Sequence, residues 1–322
     1  MLSEFDLIKR YFTRAPDVSP RVGLGIGDDC ALLRANAGSE LAISTDMLVE
    51  GRHFFAGAEP ESLGHKCLAV NLSDLAAMGA APVAFTLALA LPNADPDWLD
   101  AFSRGLLALA DASGCALIGG DTTKGPLTIC ITVFGDVPAA AALRRDAARP
   151  GDDVWVSGTL GDARLALGAL LHEYSLEPLQ LQQASQRLHR PTPRLALGLA
   201  LRGVAHAAID ISDGLTGDLG HVLARSGCGA SIDANALPFG PMLQLQNRAL
   251  QRMCALAGGD DYELCFTAPA SLRDAVLAAG RASDTAVTRI GGIDAEPGLR
   301  LHDGAGQPVR LSLPSFDHFK AS

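Results

Sequence analysis

The sequence predicts a two-domain α/β (or α+β) chain, and three observations carry that expectation. Apolar runs of strand length alternate with amphipathic helical patterns along the whole chain. The chain has 322 residues and is 48% hydrophobic, enough to bury a sizeable core in each of two domains. An Ala-rich stretch over 138–151, with Arg144, Arg145, Pro150 and Gly151, interrupts the alternation. The boundary is placed there, giving an N-terminal domain over 1–140 and a C-terminal α/β domain over 150–322.

Each element has its own signal. Phe5, Ile8 and Phe12 share one face of a short helix over 3–13. A Gly-rich segment, 23–29, follows it. The run over 41–46 reads as a strand ending in Ser44, Thr45 and Asp46. A helical pattern over 61–79 precedes a buried strand over 82–91. The amphipathic helix over 97–113 is closed by Gly114. Strands over 115–118 and 127–134 flank Gly119-Gly120-Asp121-Thr122-Thr123. The second half restarts with a strand over 153–157 and helices over 161–172, 178–189 and 193–203. Then come strand 205–211, helix 214–226, strand 230–234, helix 242–257 and strand 262–267. Helix 271–280, strand 286–290 and a hairpin near Asp303-Gly304 complete the pattern. Asp74 to Asp121 and Asp213 to Asp260 span the same 47 residues, a spacing compatible with duplication but weak support for it.

The formal net charge is −10, from 36 acids and 26 bases. An acidic chain without a basic run argues against a nucleic-acid partner. The acids divide as 27 Asp and 9 Glu, a bias toward caps, turns and metal loops. The seven cysteines form no C-x-x-C pair, so reduced and mostly buried thiols are expected. The first residues lack a basic segment followed by an apolar core, and the longest apolar stretch, near 76–91, is interrupted by Pro82. A cytoplasmic protein without a membrane partner is expected.

Familiar signatures are missing: there is no phosphate-binding G-x-x-x-x-G-K-[ST], and Gly23, Gly25 and Gly27 do not make a dinucleotide fingerprint. The eight histidines lack zinc spacing. What stands out is a set of aspartates at strand ends or helix starts: Asp28 with Asp29, Asp46, Asp74, Asp121, and Asp210 with Asp213. Ligands gather at the carboxyl ends of strands in α/β folds. Clustered carboxylates repel unless protonated or bridged by cations, and an all-oxygen set suits Mg²⁺. Any one of these residues, taken alone, reads more readily as a helix cap or turn. Arg144 and Arg145 offer bidentate phosphate contacts or a solvated pair. His53, Phe316 and Phe319, taken alone, read more readily as structural residues than as ligands, and Glu263 is either a ligand or an ordinary edge residue at the start of a strand.

In order, these segments resemble the thiamine-monophosphate kinase family. The segments are Gly25-Ile-Gly27-Asp28-Asp29, Ser44-Thr45-Asp46 through His53-Phe54, and Asn71-Leu-Ser-Asp74 through Met78-Gly79. Gly119-Gly120-Asp121-Thr122-Thr123, Pro150-Gly151-Asp152 and Ser157-Gly158 follow, then Asp210-Ile-Ser212-Asp213-Gly214, Ser226 to Ala230, and Asp261-Tyr262-Glu263. The resemblance covers nearly the whole chain. It implies the two-domain fold of aminoimidazole-ribonucleotide synthetase, with a homodimer built through the N-terminal domains. It implies ATP-dependent phosphorylation of thiamine monophosphate to thiamine diphosphate, the last step in making that cofactor, by direct transfer assisted by several Mg²⁺ ions.

Residue by residue, the resemblance implies a metal set of Asp28, Ser44, Thr45, Asp46, Asp74, Asp121, Asp210 and Asp213. Asp46, Asp121 and Asp213 would serve catalysis. Gly120, Asp121, Arg145 and Ser212 match ATP positions, and His53, Glu263 and Phe316 match substrate positions. Two departures stand out: Asp260 replaces a Glu, and Arg145-Asp146-Ala147 replaces Arg-Ser-Gly. The alternatives are another ATP-using member of the same superfamily, a ligand sensor without turnover, and a structural protein whose aspartates are caps.

Overall fold

The computed structural model describes residues 4–13, 19–27 and 30–309. Asp28, Asp29, Phe316 and Phe319 lie outside those residues. The chain divides into two compact units, residues 1–75 with 80–140, and residues 76–79 with 141–322.

The N-terminal unit opens with one helical turn, α1 (Glu4–Leu7), which widens into a π-helical turn over Ile8–Phe12. Two short strands follow, β1 (Val22–Leu24) and β2 (Leu32–Leu33), paired antiparallel. The main sheet is β3 (Ser39–Val49), β4 (Ala81–Leu91), β5 (Ala116–Lys124) and β6 (Thr128–Pro138), in the order β3-β6-β4-β5. Only β4 and β5 run parallel among them. The crossover between those two is α3 (Pro96–Ser113), as a parallel pair requires. Asp95 caps α3 by accepting the N–H groups of Asp97 and Trp98, and Gly114 ends it in the left-handed conformation expected of it. The other long helix is α2 (Pro60–Ala77).

Alternation along the strands sorts this sheet into two faces. Phe85, Leu87 and Leu89 of β4 and Ile129, Ile131 and Val133 of β6 are buried, as are Leu68, Leu72 and Leu75 of α2 and Leu99, Phe102 and Leu106 of α3. On another part of the sheet, Val22, Ala31 and Leu33 pack on Ala84, Ala116 and Ile118. Leu41, Ile43 and Met47 of the edge strand β3 remain 47%, 59% and 55% exposed.

The C-terminal unit holds a sheet of β7 (Asp152–Ser157), β8 (Ala207–Asp210), β9 (Gly229–Asp233), β10 (Leu264–Pro269), β11 (Val287–Asp294) and β12 (Gly298–His302). Their order is β12-β9-β11-β7-β10-β8, antiparallel except for β12 with β9. The helices are α4 (Asp162–Leu170), α5 (Pro178–His189), α6 (Leu195–Ala200), α7 (Leu215–Ser226), α8 (Arg248–Ala257) and α9 (Arg273–Ala282). Both faces of the sheet are covered, so β7 is buried at every position. Val154 and Val156 join one core with Leu165, Leu188, Leu219 and Leu256. Trp155 joins the other with Leu197, Leu201, Phe266 and Val276, and its ring stacks on Phe266 at 6.4 Å.

Two sequence expectations change in the structure, and a third holds. The segment 119–124 is strand rather than loop, because β5 keeps its parallel register with β4 through Lys124. The helix expected over 242–257 begins only at Arg248; Asn247 caps it, and a 3-10 turn at Leu243–Leu245 precedes it. The turn expected near Asp303-Gly304 does form: His302 bridges antiparallel to Pro308 and Val309 N–H donates to the Leu301 carbonyl at 2.9 Å, while β12 itself also adds parallel to β9.

Candidate active site

In the N-terminal unit, the candidate carboxylates meet where β3 passes α2. The backbone N–H of Asp46 donates to Asn71 Oδ1 at 3.1 Å, and Asn71 Nδ2 donates to the Cys67 carbonyl at 2.9 Å. That buried amide ties the strand to the helix one turn before Asp74. Ser44 Oγ donates to Asp74 Oδ2 in a short hydrogen bond. Alternation points Ser44 and Asp46 to the same side of β3, toward the helix. Burial pushes the Asp46 carboxyl up to about 6, and the negative charge of Asp74 adds to the rise. Two carboxylates and a hydroxyl form a hard, oxygen-only donor set, which a divalent cation would suit.

The other residues of this unit are spread around that point. Thr45 faces the opposite side of the strand, where its hydroxyl lies 2.8 Å from that of Thr132. Asp121, on β5, the edge strand opposite β3, pairs in register with Ala88, in the row of Met47 rather than that of Asp46; it is exposed, and alternation puts its side chain on the other face of the sheet from Asp46. Gly120 has φ +152°, and a Cβ there would collide with the backbone carbonyl of Leu87. Glycine is therefore what lets β5 close onto β4 beside Asp121. His53 sits in the turn after β3, with Nδ1 accepting the Val49 N–H at 3.0 Å. In the neutral ring that assigns the proton to Nε2.

In the C-terminal unit, Asp210 ends β8 and is buried, Ser212 is half-buried and Asp213 is exposed. The N–H groups of Ser212, Asp213 and Gly214 all donate to Asp218 Oδ2, each at 3.1 Å. The segment 258–262 runs alongside. Asp260 N–H donates to the Ser212 carbonyl at 2.9 Å, and Tyr262 N–H to the Ile211 carbonyl at 2.8 Å. Asp260 and Tyr262 hold positive φ angles of 65° and 50° in doing so. Asp261 turns inward, and both its oxygens accept the Gly161 N–H, at 2.9 and 3.0 Å. Burial raises its carboxyl well above the usual range.

Glu263 is completely buried. Its Oε2 accepts from Ser157 Oγ at 2.6 Å and Arg194 Nε at 2.6 Å; its Oε1 accepts from Arg194 Nη2 at 2.5 Å and Arg187 Nη2 at 2.7 Å. Arg145 is exposed, and the neighbouring acid does not claim it: Asp146 makes a two-pronged pair with Arg144, at 2.9 and 2.6 Å. Phe316 and Asp28 lie outside the described residues.

The structure thus brings Ser44, Asp46 and Asp74 together in one unit, and Asp210, Ser212 and Asp213 in the other. Among the described residues, no three His, Cys, Asp or Glu side chains gather as a metal-ligand group. All seven cysteines are free; five are buried, Cys130 is partly exposed and Cys30 is exposed. No helix among the described residues is long and apolar enough to cross a membrane.

Sequence reasoning missed Asn71, Arg187, Arg194, Asp218 and Asp261. Asp218 carried a faint signal, an acid in the first turn after Ser-Asp-Gly, but that pattern reads equally as a dipole partner. Arg187 and Arg194 carried none, because Glu263 lies 76 and 69 residues away in sequence.

Known proteins match this chain along nearly its whole length. The family described as AIR synthase related protein, N-terminal domain, matches residues 27–137, and its C-terminal domain matches residues 149–304. A thiamine-monophosphate kinase of Salmonella typhimurium is 47% identical over 320 residues, 98% of each chain. The crystal structure of thiamine-monophosphate kinase from Stenotrophomonas maltophilia superposes with a TM-score of 0.84 at 49% identity, covering 90% of this chain and 93% of that one. AaThiL, complexed with AMPPCP and TMP, superposes with a TM-score of 0.76 at 31% identity, covering 89% of each. With its two AIR synthase related domains and near-complete coverage of such relatives, the chain belongs to the thiamine-monophosphate kinase family.

Proposed function

We propose that this chain transfers the γ-phosphoryl group of ATP directly to thiamine monophosphate, giving thiamine diphosphate and ADP. The observation that carries the reading is the Ser44–Asp74–Asp46 arrangement, an oxygen-only donor set held by Asn71 in a chain 47% identical to a thiamine-monophosphate kinase over its length. The AaThiL structure, with an ATP analogue and TMP together, supports the same pair of substrates.

The donor chemistry fits Mg²⁺. Half-buried Asp46 beside Asp74 is electrostatically unfavourable when both are ionised, and a bound dication would remove the conflict. Asp46, Asp74 and Ser44 would hold it; for further ions the resemblance implies Asp28, Asp121 and Thr45 through an oxygen and, within the C-terminal unit, Asp210 and Asp213. When bound, Mg²⁺ supplies neutralisation of phosphate charge during an in-line displacement.

The chain's own groups position the reactants. Arg145, exposed because Asp146 is held by Arg144, offers a planar fork for ATP phosphates. Both backbone groups of Ser212 are engaged within the fold, so its hydroxyl is the group directed to the nucleotide. Gly120 brings the backbone at Asp121 close to β4, the space a Cβ would take being filled by the Leu87 carbonyl. His53 donates from Nε2 at the thiamine end, with Phe316 as the aromatic partner implied by the resemblance. Glu263 acts on the substrate through Arg187 and Arg194, since its carboxylate oxygens accept from those two residues and from Ser157 inside the fold. Asp213 and Asp121 contribute charge rather than covalent chemistry. We read the enzyme as a cytoplasmic homodimer, with the exposed apolar side of edge strand β3 facing the second copy.

A coupled ADP-release assay with thiamine, thiamine monophosphate and aminoimidazole ribonucleotides as acceptors tests the proposal. Release with Mg²⁺ and thiamine monophosphate, and not with the others, is expected. Turnover only with another acceptor overturns the substrate assignment. Binding of thiamine monophosphate without ADP release identifies a sensor instead.

A further inference from the structure

We propose that Asp218 is a positioning residue of the phosphoryl transfer: its buried carboxylate holds the turn 210–214 so that Ser212 and Asp213 are presented to the nucleotide. The inference rests on the kinase reading above and adds a residue that reading does not use.

The geometry differs from ordinary helix capping. An N-cap side chain reaches the N–H groups of the first helical turn, and a capping-box side chain reaches back only as far as the N-cap N–H. Asp218 lies inside α7 and reaches backward, past the helix start at Leu215, to Gly214, Asp213 and Ser212. The N–H groups of Ser212 and Asp213 belong to no helix, so bonding them shapes the turn rather than the helix. Three consecutive N–H groups converging on one oxygen form a concave nest, an arrangement that elsewhere receives an external anion. Here the anion is built in, and Asp218 is only 4% exposed. The nest is therefore closed to a substrate phosphate, and the turn offers its side chains instead.

The opposite edge of the turn is fixed independently. Ser212 and Ile211 carbonyls accept N–H groups from Asp260 and Tyr262, and Ile211 N–H donates to the Glu263 carbonyl at 2.8 Å. Gly259 lies so close that a Cβ there would collide with the Ser212 carbonyl oxygen. Thr216 Oγ1 anchors the helix start by donating to the Leu256 carbonyl at 2.9 Å. Between these contacts, Asp218 is what fixes the N–H edge. Without it the peptide planes at 212–214 can rotate, and a displacement of about 1 Å at a reacting centre can cost a hundredfold in rate.

The test compares Asp218→Ala and Asp218→Asn with wild type by amide hydrogen exchange and steady-state kinetics, at a temperature where each is folded by circular dichroism. In D218A, exchange at the 212–214 amides should rise about 100-fold while the rest of β8 and α7 stays protected. Its kcat should fall about 100-fold and its KM for ATP should rise, with KM for thiamine monophosphate within about twofold of wild type. D218N keeps a side-chain oxygen as acceptor, and should retain protection and a kcat within about tenfold of wild type. A lowered melting temperature with unchanged kcat and KM for ATP in D218A makes Asp218 merely structural and overturns the proposal. If D218A does not fold, D218N decides: protected amides with a kcat loss beyond about 100-fold overturn positioning as its role. Should wild type show no transfer to thiamine monophosphate, the kinase reading fails; the exchange experiment still decides separately whether Asp218 holds the turn, and unchanged exchange in D218A overturns that.

Discussion

Asp46 on β3 and Asp74 on α2 share one side of the N-terminal sheet, and the charge of Asp74 helps raise the Asp46 carboxyl to about 6. The mutual repulsion of the pair is what a bound dication would relieve. Mg²⁺ should therefore stabilise the protein against heat, by about 2.7 kcal/mol at a hundredfold excess over Kd. The gain should be smaller at pH 5.5 than at pH 7.5, because the ion must displace the Asp46 proton. Melting curves of wild type and the D46N/D74N double variant, with and without Mg²⁺, check this. An equal Mg²⁺ shift in the double variant would remove these two residues from the metal set.

Gly120→Ala should be costly out of proportion to one methyl group. The Cβ would enter the backbone of Leu87, so β5 must move away from β4 just where Asp121 begins. A loss of about 1–3 kcal/mol is expected in chemical denaturation, with most of the activity lost. Wild-type stability and kcat in G120A would show that the close approach is dispensable.

Acid sensitivity should trace in part to Asp153. Arg273 donates to its carboxylate at 2.5 and 2.8 Å and Arg289 at 2.5 Å, holding it below the ordinary carboxylate range; the Arg273 hydrogen bonds are the larger cause. A depressed folded-state pKa means stability that is complete above the unfolded value, about 3.9, and lost as pH falls through the folded value. The difference in melting temperature between wild type and D153N should be full at pH 7, hold to about pH 5, and close below about pH 4. A gap that stayed constant down to pH 3 would contradict the ion-pair assignment.

The exposed side of β3 should be covered in solution. Ile43, 59% exposed on an edge strand, is the residue to change. Light scattering should give wild type twice the mass of the chain and Ile43→Glu a monomer. A monomeric wild type at micromolar concentration would leave that apolar surface for another partner.

Much of this molecule was readable from its residues, for identifiable reasons. Strand β7 and helix α3 announce themselves through period and caps, because both are local: Asp95 and Gly114 act within a turn of the helix they bound. Of the aspartates expected at strand ends or helix starts, Asp210 does end β8, whereas Asp46 and Asp121 sit inside β3 and β5 and Asp74 inside α2, because pairing and helix continue past them. The inversion of local logic at 119–124 was not readable, since Gly-Gly-Asp reads as a loop until a parallel neighbour strand holds it. Long-range pairs were also silent. Glu263 looked like a substrate ligand, and only the fold shows Ser157, Arg187 and Arg194 converging on it from distant segments. Asp218 was hidden differently: nothing local separates an acid that caps a helix from one that reaches back to the turn before it.

The most direct measurement follows the label from [γ-³²P]ATP. Purified wild-type protein with Mg²⁺ and thiamine monophosphate should place it in thiamine diphosphate, resolved by chromatography, with D46N and D121N each reduced about a hundredfold or more while remaining folded. Label appearing only in inorganic phosphate, or undiminished transfer in both variants, would contradict the account.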